Sequence, residues 1–222
     1  MTDMSETDAL PTISIAMAVP QGFVALPLGT IDEAIAQAES MFASLGPGTV
    51  SSAAPAVLQA LQVLLTRLAQ LNTVYCGLGR HLSAAGRQIS STLTVSLHEY
   101  GERRNPRLTL GDVLKGRCDA GEKFENAEFV EVSGRPVLLL DQVRATPTPE
   151  LPGYDSSDPE QAVYQLEAVV PAPDGSAIAV IEFSTPFVEH GVEYLSTIVV
   201  MAASIEFVPI SRRSTTSFSL DL

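Results

Sequence analysis

Between Val163 and Phe207 the sequence leaves little freedom of fold. Val163-Tyr-Gln-Leu-Glu-Ala-Val-Val170 alternates with the period of a strand, Pro173-Asp-Gly175 turns, and Ala177-Ile-Ala-Val-Ile-Glu-Phe183 returns. After Ser184-Thr-Pro186 the apolar residues Val188, Val192, Leu195, Val199 and Ala202 fall at helical spacing, with Thr185 as cap and Pro186 in the first turn. Ser204 to Val208 is extended again. A hairpin followed by a helix that lies across it is the expected unit. The unit constrains architecture and carries no chemistry.

A second hairpin precedes it. Glu128-Phe-Val-Glu-Val132 alternates, Ser133-Gly134-Arg135 turns, and Pro136 to Arg144 returns, which makes this hairpin the neighbour of the first in one sheet. Between them, Thr146 to Glu160 holds four prolines and reads as a long loop, with Asp155 and Asp158 as solvated acids.

The N-terminal half is mixed. Thr12 to Val19 reads as a half-buried strand, and Phe23 to Leu28 as an edge piece because Pro27 cannot serve a ladder. Thr30-Ile-Asp-Glu33 matches a capping box and opens a helix that Gly46-Pro-Gly48 ends. A second helix is expected from Ala54-Pro55 to Leu71, with an apolar stripe of Val57, Leu58, Leu61, Leu64, Leu65, Leu68 and Leu71, and Arg67 as its one charge. A helix so poor in charge is either core or a partner interface, and Leu58, Leu61 and Leu65 are the candidate contacts. Asn72 to Gly79 and Arg87 to Tyr100 read as strands joined across His81–Gly86, with a bulge or late start near Ser90. Leu108 to Arg117 reads as a short helix with Thr109 and Asp112 as a capping pair.

Composition narrows the functions. The net charge of −13 over 222 residues disfavours phosphate backbones and anionic lipid surfaces, so neither nucleic acid nor a membrane surface is an expected partner. The acidic residues 1–10 lack the basic start of an export signal, and the stretch Tyr194 to Ala203 is too short to span a bilayer. A cytoplasmic protein is expected, with export lacking a cleaved signal left open. Two cysteines, Cys76 and Cys118, set no disulfide framework, and their pairing stays open.

No motif assigns a cofactor or a metal. Gly77-Leu-Gly79 lacks the third glycine of a dinucleotide loop, where Leu82 stands, and leads into a strand. His81, His98 and His190 have no paired metal spacing. Cys118 becomes a nucleophile only if a histidine approaches it. Arg103, Arg104 and Arg107 can bind a partner's carboxylate or phosphate, or pair with the chain's own acids. The tail from Pro209 to Leu222 ends in an alternation in which Phe218 and Leu220 can add an edge strand to a partner.

The order of elements resembles the Mog1/PsbP-like superfamily. The matching pieces are Pro20-Gln-Gly22-Phe23 after a strand, Val130-Glu-Val-Ser-Gly-Arg-Pro136, the turn at Pro173-Asp-Gly175, and the closing Ala203-Ser-Ile-Glu-Phe207. The long apolar helix around Leu58 to Leu71 departs from that pattern, as does the absence of a lipoprotein cysteine near the N-terminus. The resemblance implies an antiparallel sheet with helices on its faces and protein binding without a shared catalytic site; the pattern of elements sets the expectation of a single α+β domain over residues 11–208. The expected function is thus a non-enzymatic protein-binding accessory factor, an adaptor or chaperone of a secretion or assembly system, whose partner is another protein or a second copy. The alternatives are a small enzyme using Cys118 or a histidine, and a self-assembling structural subunit.

Overall fold

The computed structural model describes residues 13–148 and 159–209. Among these residues seven strands form an antiparallel sheet with helices on its faces, an α+β fold. In spatial order the sheet contains β2 (Phe23–Ala25), β3 (Thr73–Leu82), β4 (Gln88–Glu99), β8 (Ala177–Thr185), β7 (Glu160–Pro171), β6 (Arg135–Pro147) and β5 (Asn126–Val132). The two expected hairpins are neighbours through the β6–β7 pairing. A separate ribbon pairs β1 (Ile13–Ala16) with β9 (Glu206–Pro209), and Ile13, Ile15 and Phe207 from it close the core beside Leu97.

Alternation along the central strands sends side chains into two layers. Leu93, Val95, Leu166, Ala168, Ile181 and Phe183 face α4 (Leu195–Ser204), whose Ile198, Met201 and Ala202 complete the main core. Leu138, Leu140, Val169, Ile178 and Val180 point the other way, onto Leu110, Val113 and Leu114 of α3 (Pro106–Asp119). Arg135 donates to the carbonyls of Ala203 and Ile205 at 2.8 and 2.7 Å, so a strand residue closes the negative end of α4.

Several local expectations are corrected. The bulge or late start expected near Ser90 is not there: β4 runs through it with Ile89 in phase with Leu93, Val95 and Leu97 and fully buried, and the irregularity falls in β3, between Thr73 and Tyr75. Thr30 makes no side-chain cap at α1 (Ile31–Ser44). The cap of α3 is Asn105, which accepts from the Arg107 amide at 2.9 Å ahead of Pro106, while Thr109 is buried and donates to the Gly175 carbonyl. Helix α2 (Thr49–Gln70) starts a turn and a half early, so Pro55 lies inside it. Residues Val188–Tyr194 form a 3-10 turn before α4, which rotates the buried face to Tyr194, Ile198, Met201 and Ala202 and leaves Val192 exposed. The proline-rich connection is shorter than expected, because Thr146 and Pro147 pair with Gln161 and Glu160. Asp155 and Asp158 lie outside the described residues.

Candidate functional site

Helices α1 and α2 form a hairpin inserted between two paired strands, β2 and β3. They pack on each other, and α2 touches the sheet at the start of β3. The inner seam of α2 follows the alternating three-and-four spacing of a coiled coil: Ala54, Leu58, Leu61, Leu65 and Leu68. Leu58 lies with Ala54 beside Phe42 of α1, and Gln62 donates to Asp32 at 2.8 Å across the pair. One helix cannot cover an apolar arc this wide. Val50, Val57, Leu64 and Leu71, seven residues apart, remain exposed along a second stripe, with Ala53 and Ala60 between them. Helix α2 is also long and apolar enough to cross a membrane by length and composition alone.

This geometry moves the expected contact surface. Leu58 and Leu65 are buried within the protein, at 5% and 1% exposure, and Leu61 is half-buried. Leu58 and Leu65 are unavailable to a partner; the large apolar residues exposed on α2 are those of the second stripe and Val63. Its spacing stands in the sequence, and it was hidden there by the continuity of the apolar arc.

A second feature lies on the α3 face of the sheet, where that helix ends. Apolar residues give way to a polar cleft of about 170 Å³ lined by Arg117, Glu122, Gln142, Arg144, Gln165, Glu167 and Glu182. Glu167 and Glu182 stand directly opposite each other on β7 and β8. Arg117 donates from Nη1 to Glu167 Oε2 at 2.7 Å, and its Nη2 sits 2.6 Å from Oε1 as a close ion-pair contact without hydrogen-bond alignment. Arg144 pairs with Glu122 at 3.1 Å. Glu182 accepts from Gln165 at 3.2 Å, and Gln165 accepts from Gln142 at 3.3 Å. Burial pushes the carboxyls of Glu167 and Glu182 above the usual range; Arg117 opposes this at Glu167, and Arg144 and then Arg117 oppose it at Glu182. Two acids at inward positions, in Leu166-Glu167-Ala168 and Ile181-Glu182-Phe183, were the available sequence signal for this cleft.

The arginines expected to meet a partner are engaged internally. Arg103 pairs with Asp174 at 3.1 Å, Arg104 with Asp112 at 2.8 Å while stacking over Tyr100, and Arg107 with Glu131 at 3.3 Å. Phe218 and Leu220 lie outside the described residues.

The candidate catalytic groups are dispersed. Cys118 is a free thiol exposed on the last turn of α3; Cys76 is free and buried in β3, and burial pushes its thiol up. His98 sits 2.9 Å from Ser96, held below the ordinary imidazole range by burial and then by Arg117. His81 contacts Ser91 at 3.0 Å between Phe23 and Tyr194, and burial lowers it too. His190 binds Glu193 at 2.7 Å. Neither Cys118 nor His98 contributes to the wall of the polar cleft. Gly77 and Gly79 serve the strand, since a Cβ there would meet Tyr75 and His81. Among the described residues no three metal-ligating side chains converge. No family model matches the sequence, and no curated protein matches it.

Proposed function

We propose that the chain is a non-enzymatic protein-binding accessory factor, of the adaptor or chaperone kind, and that the α1–α2 hairpin is its binding element. The carrying observation is the exposed stripe of Val50, Val57, Leu64 and Leu71 on a helix whose only charge is Arg67. Apolar residues in a continuous exposed row mark interaction surfaces. An amphipathic helix presented on a hairpin offers a helical partner a ready seam. The large antiparallel sheet with helices on both faces is compatible with a Mog1/PsbP-like scaffold, on which binding rather than catalysis is the expected role. An enzyme built on Cys118 or His98 has less support, because a nucleophile needs a base within hydrogen-bond reach in a concave site.

The test is affinity capture from native lysate with the wild type and with Val57→Asp/Leu64→Asp. A stoichiometric partner held by the wild type and lost by the variant supports the proposal. A wild type that brings down no stoichiometric partner, and does not self-associate, removes it.

A further inference from the structure

We propose that the first occupant of the α2 stripe is a second copy of this chain, paired antiparallel through a two-fold axis between Ala60 and Leu61. This rests on reading α2 as the binding face and commits that face to one partner.

Charge selects the surface. The chain carries −13, while Thr49–Leu71 holds Arg67 as its one charged side chain. Two copies approaching through most other faces bring acidic groups together; α2 itself carries no acid, and the acids beside it on α1 are Asp32, bonded to Gln62, and Glu39, next to Ala54 and Leu58. Spacing selects the geometry. With Val50, Val57, Leu64 and Leu71 seven residues apart, the two-fold sets Val57 against the partner's Leu64, and Val50 against the partner's Leu71. Ala53 and Ala60 fill the intervening positions and let the helices approach closely.

The same charges select the direction. A parallel, in-register pair would place Arg67 beside its own symmetry mate and both acidic sheets at one end of the helices. The antiparallel pair sets Arg67 opposite Ala54, separating the two guanidiniums by roughly 20 Å along the axis, and puts the sheets at opposite ends of helices about 33 Å long. That length exceeds the roughly 8 Å reach of unscreened charge at physiological salt. With each α1 on its outer side, the product is a four-helix bundle carrying a sheet at either end.

The experiment uses the full chain with Cys118→Ser, which removes the exposed thiol. Val57→Cys and Leu64→Cys are prepared separately, checked for wild-type circular dichroism, and oxidised alone and as an equimolar mixture. The expected result is a disulfide dimer in the mixture, little in either alone, and a solution mass of twice 23.5 kDa for the wild type by light scattering. Val57→Asp is expected to weaken the dimer about a hundredfold, because a two-fold interface feels each substitution twice. Efficient cross-linking of each variant with itself overturns the antiparallel arrangement. A wild-type monomer at every concentration overturns the dimer, whether or not neutral phosphatidylcholine vesicles take up α2 instead. A monomer whose lysate partner is still lost on Val57→Asp defeats this inference and leaves the proposed function standing. A monomer with no such partner defeats both.

Discussion

Glu167 and Glu182 are the residues at which this fold holds charge against its own interest. They face each other on adjacent strands, and burial raises both carboxyls above the ordinary 4.5. The folded chain therefore keeps protons that the unfolded chain releases, and stability contributed by these groups is greatest below pH 4.5 and falls as pH rises through the raised folded values. Among the described residues no cation forms an ion pair with Glu182, so Glu182→Gln is expected to raise the melting temperature by a few degrees at neutral pH. The gain fades at about pH 4, where the wild-type carboxyl is protonated. Glu167 differs because Arg117 holds it at 2.6–2.7 Å. Arg117→Met leaves a buried carboxylate unpaired, which costs about 3 kcal/mol at pH 7 in denaturant unfolding and less at pH 4. A loss that is the same at both pH values would contradict this account of the pair. Strand alternation made the inward position of both acids readable; which arginine would reach them depends on where α3 ends, and the helical pattern does not state that.

At the scale of elements, α2 divides into an inner seam and an outer stripe, and substitutions separate them. Leu65, at 1% exposure, fills the inside of the hairpin, so Leu65→Ala is expected to cost about 2–4 kcal/mol. Val63, at 64% exposure and off both rows, is expected to change stability by less than about 0.5 kcal/mol when replaced by Ala. The docking of α3 has its own test. Gly175 has φ +71°, and a Cβ there would press on the Arg104 carbonyl and Thr109. Gly175→Ala is expected to cost about 2 kcal/mol or more, from backbone strain and displacement of the loop ahead of α3. The strands of β6, β7 and β8 were legible because period-two alternation and Gly-containing turns agree there. The helix ends were less legible. Asn105-Pro106 outcompeted Thr109 as a cap, Pro55 was tolerated inside α2, and the 3-10 turn before α4 shifted a face that regular helical spacing placed elsewhere.

For the whole molecule, charge and exposed apolar surface pull in opposite directions. Most of the −13 lies outside the helical hairpin, and the hairpin carries the exposed apolar row. Self-association is therefore expected to strengthen as salt rises from about 20 mM to about 300 mM, because screening weakens repulsion between copies and leaves apolar contact intact. The large antiparallel sheet was readable from the two C-terminal hairpins. That β1 pairs with β9 rather than joining the large sheet was not, since two short alternating strands do not specify their partner across nearly two hundred residues. The exposed stripe was invisible as such because exposure is a property of the hairpin's packing. The most direct measurement is side-chain carbene footprinting of the wild type over a concentration series. Labelling of Val57 and Leu64 is expected to fall together as concentration rises while Val63 stays constant; unchanged labelling at Val57 and Leu64 would show that no second copy covers the stripe.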